Sequence, residues 1–222
     1  MLFIKEFKPK KIKNSNIKES RKRFKDKNNK NLRFLLEERF LWMKKYLSNK
    51  KNIIELGSGN GASKDVLKNK KIILTDIQKY SWISKKIDMN NLKLERKFIN
   101  KVDVFILNQA LHHCANPAKL LKRISIYLKR GGLILIREPE ISFFLRFVLY
   151  LLDDEAWSFK VDVFNSKKNI FDPQSPWDAN NATPYLLFND EEKFNQKFPR
   201  YRIIENDLSE FFIFLNSGGV VQ

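Results

Sequence analysis

The sequence predicts an α/β fold in which helices cover both faces of a doubly wound, mostly parallel sheet of seven strands. Three observations support this prediction. Short apolar runs at residues 53–56, 72–75, 102–107 and 133–136 are separated by segments of helical periodicity. The first run ends in three alternating glycines, and polar residues follow the other runs. Strands that alternate with helices form right-handed βαβ units, and such sheets bind ligands at the carboxyl ends of their strands.

Three glycines, Gly57, Gly59 and Gly61, directly follow the first apolar run. Glycine lacks a Cβ atom and adopts positive φ, so a turn of this kind brings its main chain against a ligand. Asp76 closes the second run, 19 residues after Gly57. A carboxylate at that position can accept hydrogen bonds from both hydroxyls of a ribose. Together these residues predict a crevice that binds a nucleoside.

The remaining elements follow from periodicity and from turn residues. They are an amphipathic helix over 31–47, a crossover helix over 62–68, a short strand near residue 87 or 92, a helix over 117–130 that stops at a glycine pair, a helix over 184–198, a strand over 201–205 and a final antiparallel strand over 211–215. We divide the chain into a basic, partly disordered arm at residues 1–30 and one domain at residues 31–222. This domain includes a lid or insertion at about 141–183.

The chain has 222 residues, a net charge of +18 and a single cysteine. This length suits one domain, and one cysteine forms no intrachain disulfide, which is typical of a reducing compartment. No apolar stretch is long enough for a signal peptide or a bilayer-spanning helix, so we expect a cytoplasmic protein without a transmembrane segment. About half of the charge lies in residues 1–30. It indicates either a lysine-rich solvated surface or an anionic partner.

The motifs resemble those of class I S-adenosylmethionine-dependent methyltransferases, of the small single-domain, type 11-like group with a Rossmann-like fold. The glycine turn, the acid after the second strand, Asn-Gln-Ala-Leu-His-His at 108–113 and Leu-Lys-Arg-Gly-Gly at 128–132 carry the likeness, with Arg130 in place of the usual proline. The resemblance implies that S-adenosylmethionine is the cofactor, that Asp76 holds its ribose and that Asp88 and Met89 meet its adenine. The implied cofactor site comprises Glu55, Gly57, Ser58, Gly59, Gly61, Asp76, Ile77, Asp88, Met89 and Asn108.

The glycine spacing separates this cofactor from a nicotinamide dinucleotide. A dinucleotide site spaces its glycines G-x-G-x-x-G to admit a pyrophosphate, whereas Gly57, Gly59 and Gly61 follow the spacing G-x-G-x-G. A cofactor without phosphate needs no anion cradle. Its amino-acid end carries an ammonium group, which suits the carboxylate of Glu55 at the end of the first strand. The alternative for Glu55 is a carboxylate that braces the loop.

Methyl transfer from a sulfonium requires alignment of the acceptor and, for a hydroxyl or an amine, removal of a proton. His112 and His113 are the only histidines of the chain, and Glu138 ends the fifth strand. These three are therefore the candidate catalytic bases, with His113 favoured. The alternative for each is a side chain that braces the loop. Cys114 is expected to be a packed small residue, and no Cys/His set has the spacing of a metal site, so no metal is predicted.

The acceptor is predicted to be a small molecule, a lipid or a saccharide. Four aromatic residues in or beside the insertion, Trp157, Phe159, Trp177 and Tyr185, suit an apolar or sugar-stacking pocket. Two alternatives stay open: an RNA methyltransferase whose basic arm contacts phosphates, and a protein that binds the cofactor without catalysis. The apolar stretch 141–152 is either a core or lid helix or a helix on a membrane surface, which leaves peripheral membrane contact open.

Overall fold

A parallel sheet between two apolar layers organises residues 4–12, 14 and 16–209, the part of the chain that the computed structural model describes. The strands are β1 (Glu6–Phe7), β2 (Ile53–Leu56), β3 (Ile72–Asp76), β4 (Lys85–Lys86), β5 (Val102–Asn108), β6 (Leu128–Arg137) and β7 (Trp157–Ser158). The α-helices are α1 (Ile17–Lys25), α2 (Lys30–Leu41), α3 (Lys44–Leu47), α4 (Ala62–Val66), α5 (Pro117–Tyr127), α6 (Phe143–Leu152), α7 (Thr183–Phe188) and α8 (Glu191–Lys197).

The main sheet has the strand order β4-β3-β2-β5-β6, and all its pairings are parallel. β2 lies at the centre, between β3 and β5. The strands β3 and β4 are added on one side of β2, and the later strands β5 and β6 are added on the other side, so the order of strand addition reverses at β2. A second, two-stranded sheet pairs β1 with β7 antiparallel. The predicted α/β class with a mostly parallel sheet is confirmed. In open sheets of this kind, the reversal point leaves a crevice at the carboxyl ends of the strands.

Alternate residues of β2 and β5 face two separate apolar layers. Ile54 and Phe105 belong to one layer, which includes buried residues of α5, α7 and α8. Ile53 and Val104 belong to the other layer, which includes buried residues of α1 and α2. Side chains of a strand alternate between its two faces, so helices on both sides account for the nearly continuous apolar runs of these strands.

The predicted seven-stranded sheet is not confirmed, since five strands form the main sheet within the described residues. Residues 201–205 were predicted as a strand but have no regular secondary structure. Instead, the Tyr201 hydroxyl donates a hydrogen bond to the Leu121 carbonyl at 2.7 Å, and Tyr201 and Ile203 pack on the core. Side-chain contacts, and not strand pairing, therefore hold residues 201–205 against the domain. The strand predicted over residues 211–215 lies outside the described residues.

Several predicted helix and strand bounds change in the structure. The helix predicted over 31–47 is divided into α2 and α3, and the helix predicted over 184–198 is divided into α7 and α8. Asp190 starts α8 by accepting a hydrogen bond from the Lys193 amide at 2.9 Å, which explains the second break. β6 begins at Leu128 and contains the glycine pair, whereas the sequence places this pair before the strand. The short strand predicted near residue 87 or 92 corresponds to β4, which ends at Lys86, and residues 87 and 92 themselves lie outside it.

Part of the segment predicted as an arm is folded against the domain. β1 lies beside β7, and α1 carries Phe24 into the apolar layer formed with α2. Asn16 caps α1 by accepting a hydrogen bond from the Glu19 amide at 3.1 Å. The boundary at residue 30 stays a prediction.

Among the described residues, no helix has the length and apolar character needed to cross a membrane.

Candidate active site

A cavity of about 680 Å³ lies at the carboxyl ends of the central strands. The glycine turn after β2, the ends of β3 and β5 and the residues after β6 border it. Its wall includes most of the predicted site residues, namely Gly57, Ser58, Gly59, Asp76, Ile77, Asp88, Met89, Asn108, His112, His113 and Glu138. Residues that are far apart in the sequence therefore meet at one site.

The first two glycines of the turn meet different demands. Gly57 has φ +66°, and a Cβ atom there would lie 2.8 Å from the Cβ of Ala110. Gly59 has φ +48°, and a Cβ atom there would have only the Ile17 side chain as a neighbour, at 4.0 Å. Gly57 thus allows close packing of the turn on the loop after β5. Gly59 presents bare main chain to the cavity.

Gly61 and Glu55 do not line the cavity. A Cβ atom on Gly61 would lie 2.9 Å from Trp82 and 3.0 Å from Leu74, so this glycine is required for packing behind the turn. The Glu55 side chain is 2% exposed and accepts a hydrogen bond from the Ser63 hydroxyl. The structure therefore places both residues as supports of the turn. The direct contact of Glu55 with the cofactor that the resemblance implied is not supported by this geometry.

Burial changes the protonation of Glu55. Removal from water, with a smaller contribution from the nearby Asp76 charge, raises the pKa of this carboxyl to about 8, although hydrogen bonds from Ser63 and Ser58 act to lower it. The side chain is therefore mostly protonated at neutral pH. A neutral carboxyl is suited to bracing the turn, since an isolated buried charge is costly.

The two predicted acids of the cofactor end, Asp76 and Asp88, both line the cavity. Asp76 Oδ2 accepts a hydrogen bond from the Gly59 amide at 2.9 Å, and its Oδ1 accepts one from Gln78 at 3.0 Å. Asp88 caps the 3₁₀ turn Met89–Asn91 through the Asn90 amide at 2.8 Å. A carboxylate has about four lone-pair directions, so each acid retains acceptor capacity toward the cavity.

Asn108 ends β5 at the cavity wall. Its Oδ1 atom is buried and has no hydrogen-bond partner among the residues that the structure describes. A buried acceptor without a partner is uncommon in native proteins. This atom is therefore suited to receive a donor from a bound ligand.

Helix α1 belongs to the site, although the sequence did not indicate this. Its first residue, Ile17, lines the cavity, and Arg21 donates a hydrogen bond to the Asn60 carbonyl of the glycine turn. Arg21 also lies 4.7 Å from the Trp82 ring centroid and 3.4 Å from Asp65. The only signal in the sequence was a weak helical pattern within a basic segment.

Glu138 and His112 form a buried, hydrogen-bonded pair. Glu138 Oε1 accepts the main-chain N–H groups of Ala110 and Leu111, each at 2.7 Å, and its Oε2 is hydrogen-bonded to His112 Nδ1. Burial lowers the pKa of His112, but the charge and hydrogen bond of Glu138 outweigh it, so this pKa is raised. Glu138 braces the loop after β5, which was the alternative to its role as a base.

His113 and Glu155 complete the polar wall. His113 Nδ1 lies 2.9 Å from the Asp178 carbonyl, and its Nε2 faces Glu155 Oε1 at 3.6 Å. The other oxygen, Glu155 Oε2, lies 3.7 Å from His112 Nε2. We call His112, His113 and Glu155 the His–Glu cluster. Burial and the neighbouring His112 lower the pKa of His113.

Glu155 is the functional candidate that sequence reasoning missed. It follows α6 within the predicted insertion, about 40 residues after His113, and no motif marks it. Desolvation acts to raise its pKa, but the opposing effects of His112, His113 and the Asn181 amide are larger. The pKa of Glu155 is therefore lowered, which favours the carboxylate.

The apolar wall of the cavity comes from α6 and from one of the predicted aromatic residues. Leu145, Val148 and Leu149 of α6 line it together with Trp177. Trp157 is 2% exposed and stacks on Phe7 with ring centroids 4.7 Å apart, so it belongs to the core. Phe159 and Tyr185 are absent from the cavity wall and pack against each other edge to face. Cys114 is fully buried, and burial raises its pKa to about 12.

Comparison with known proteins adds a family match. A family model described as a methyltransferase domain matches residues 21–175, well over half of the chain. No curated protein sequence matches the chain significantly.

Several solved structures share parts of the architecture. The citrinin polyketide synthase CMeT domain has a TM-score of 0.41 and 13% identity over 53% of this chain and 38% of its own. The trans-methyltransferase CalH, in complex with SAH, has a TM-score of 0.39 and 17% identity over 61% of this chain and 56% of its own. The putative methyltransferase bound to the Haloferax volcanii Trm112 activator has a TM-score of 0.33 and 18% identity over 54% of this chain and 58% of its own. The chain thus spans less than two thirds of each.

Proposed function

The chain belongs to the methyltransferase domain family, and from this premise we propose that it transfers the methyl group of S-adenosylmethionine to an amphiphilic small molecule, a lipid or a lipid-linked saccharide. The family match confirms the resemblance seen in the motifs. One observation carries the proposal: a single cavity joins the glycine turn and its acids to the His–Glu cluster and an apolar wall.

One end of the cavity suits the cofactor. Gly59 offers main chain, Asp76 offers a carboxylate for the ribose hydroxyls, and Asp88 with Met89 lies where the adenine is expected. The unpartnered Oδ1 of Asn108 suits a donor such as the ammonium group. S-adenosylmethionine supplies, when bound, an electrophilic methyl carbon on a positively charged sulfur.

The other end suits an acceptor with a polar group and an apolar body. Polar atoms of the His–Glu cluster lie beside the apolar side chains of α6 and Trp177. The His113 side chain is 21% exposed and that of His112 only 3%, so in the metal-free protein His113 stays our candidate for removing the acceptor's proton.

The outer face of α6 favours a lipidic acceptor. Phe143, Phe147 and Leu151 are 48%, 45% and 61% exposed, on the same helix whose other residues line the cavity. A protein with a net charge of +18 is attracted to anionic lipid surfaces, and apolar side chains beside the cavity can enter such a surface.

Binding of the cofactor is the first test. In calorimetry with S-adenosylmethionine, we expect saturable binding by the wild type. Asp76→Ala should weaken it on the order of 10–100-fold, because two hydrogen bonds to the ribose are lost. Asp172→Ala is the matched control, since Asp172 makes the same local turn by accepting the Gln174 amide at 2.9 Å and does not line the cavity. Absence of binding by the wild type would refute the proposed activity.

Membrane recruitment tests the acceptor class. We expect the protein to bind anionic vesicles more strongly than neutral ones, and Phe147→Glu to weaken this binding while the affinity for S-adenosylmethionine is kept. The control is Ile126→Glu, at an exposed position of α5. Sedimentation with vesicles and transfer of labelled methyl groups to a lipid extract provide the readouts.

The RNA alternative predicts a different outcome of the same experiment. It requires tight RNA binding that weakens steeply with salt, together with methylated RNA and no effect of Phe147→Glu. Deletion of residues 1–28 is unsuitable for this test, because Ile17 and Arg21 support the cofactor end of the cavity.

A further inference from the structure

The His–Glu cluster brings three ligand atoms of a metal-binding type to one point. One ligand atom from each of His112, His113 and Glu155 lies within 4.8 Å of the others, and the nitrogen that faces Glu155 is Nε2 in both histidines. The two nitrogen-to-oxygen distances, 3.7 and 3.6 Å, are too long for hydrogen bonds. The cluster therefore converges without a hydrogen bond from either Nε2 atom to Glu155, while the two imidazole rings contact each other with centroids 4.2 Å apart.

The Nδ1 atom of each imidazole has a hydrogen-bond acceptor, as is usual for histidines that bind a metal through Nε2. His112 Nδ1 is hydrogen-bonded to Glu138, and His113 Nδ1 lies 2.9 Å from the Asp178 carbonyl. In the neutral imidazoles, acceptors at both Nδ1 atoms favour the tautomer that leaves a lone pair on each Nε2, and metal binding at Nε2 would displace any proton held there. Glu155 is oriented by the Asn181 amide, which donates to Oε2 at 3.0 Å. All three ligands thus have an outer partner that sets their direction.

The spacing fits an ion after a small adjustment. Ligand atoms at about 2.1 Å from a metal lie about 3.0 Å apart in octahedral and about 3.4 Å apart in tetrahedral geometry. The two nitrogen-to-oxygen distances exceed the tetrahedral value by about 0.2–0.3 Å and the octahedral value by about 0.6–0.7 Å, and every ligand atom of the cluster lies within 4.8 Å of the others. Glu155 can supply the movement, because its side chain is 36% exposed, whereas that of His112 is 3% exposed.

We propose that the His–Glu cluster binds one divalent first-row transition-metal ion through His112 Nε2, His113 Nε2 and the Glu155 carboxylate. Two imidazoles and one carboxylate suit zinc, cobalt, iron or manganese better than magnesium, which prefers oxygen ligands. All three residues line the cavity, so the remaining coordination positions face the acceptor end. The binding of the metal does not depend on the proposed function, but its role does. In that role the ion would hold an acceptor oxygen and lower the pKa of its proton.

Metal titration of the untagged full-length chain tests the site. After treatment with a chelator, calorimetry should show one saturable site for Zn²⁺ and for Co²⁺, and none of comparable affinity for Mg²⁺. Glu155→Gln and His113→Gln should each weaken Zn²⁺ binding on the order of 100-fold or more, a larger loss than outer-shell changes typically produce. Glu140→Gln removes another carboxylate from the cavity wall and should bind Zn²⁺ like the wild type.

Histidine resonances provide a readout that does not depend on variants. The chain has two histidines, so every imidazole signal of protein labelled with ¹⁵N-histidine comes from this cluster. On addition of Zn²⁺, both Nε2 resonances should shift while both Nδ1 atoms stay protonated. No saturable Zn²⁺ or Co²⁺ binding, unchanged Nε2 resonances, or equal Zn²⁺ affinity in all three variants would each overturn the proposal.

The same samples separate this proposal from the proposed function. Affinity for S-adenosylmethionine depends on the glycine turn and Asp76, so Glu155→Gln should retain it. A chain that binds the cofactor but no metal overturns only the metal site. A chain that binds Zn²⁺ at the histidines but no cofactor overturns only the proposed activity.

Discussion

Gly59→Arg is expected to abolish binding of S-adenosylmethionine while the protein stays folded. Among the described residues, a Cβ atom at this position would have only the tip of Ile17 as a neighbour, at 4.0 Å, so an arginine side chain has space to extend into the cavity that we propose for the cofactor. The added positive charge also opposes the sulfonium and the ammonium group. We expect a loss of affinity on the order of 100-fold or more, equivalent to about 3 kcal/mol.

Gly131→Arg is the control for backbone strain. Gly131 has φ +69°, also in the left-handed region, and within the described part of the chain no atom would lie within 4 Å of a Cβ atom there. Both substitutions should therefore lower the free energy of unfolding by a similar amount, about 1–2 kcal/mol, as measured by urea denaturation. Only Gly59→Arg should lose cofactor binding in calorimetry. Equal affinities of the two variants for S-adenosylmethionine would show that the glycine turn is not the cofactor site.

The stability of the protein is expected to fall as pH rises from 5 to 9, because of Glu55. Its pKa is raised from 4.5 to about 8 by burial, so the native state retains a proton that the unfolded state releases above pH 4.5. The stabilisation from this carboxyl is fully present below pH 4.5 and is lost as pH rises toward and through 8. Its full size is on the order of 5 kcal/mol, since the rise from 4.5 to about 8 is about 3.5 tenfold changes in the acid constant and each is about 1.4 kcal/mol.

Glu55→Gln removes this pH dependence. Glutamine has nearly the shape of the protonated side chain and can still accept a hydrogen bond from Ser63, so the variant should fold. We expect urea denaturation at pH 5, 7 and 9 to show a smaller decrease for the variant than for the wild type. At pH 9 the variant should be the more stable of the two. Parallel pH profiles for the two proteins would contradict a raised pKa of Glu55.

The proposed cofactor end of the site is strongly encoded in local sequence. Gly57 and Gly59 permit backbone angles that other residues disfavour, and Asp76 closes an apolar strand at a fixed distance along the chain. Parallel strands place their carboxyl ends at one edge, so a linear reading brings these residues together with Asp88 and Asn108. The structure places all five at the same cavity.

Local sequence is less informative where a role depends on which side of an element a residue faces. Glu55 and Gly61 lie within the motif but face away from the cavity. The Glu55 side chain is hydrogen-bonded to Ser63, and the Cα of Gly61 packs close to Trp82. The break between α7 and α8 depends on one capping contact of Asp190. Such outcomes follow from packing against residues that no periodic pattern connects.

By itself, the sequence determined the parallel α/β architecture, the glycine turn and the cofactor class, because strand alternation and glycine spacing are local and periodic. Only the tertiary structure decided that α1 supports the turn, that Glu138 braces the loop after β5 and that Glu155 faces both histidines. Those three contacts join segments that are far apart in the chain. The physical reason is that long-range contacts are set by how the elements pack, and residues 141–183 show too little periodicity to indicate which of their side chains reach the cavity.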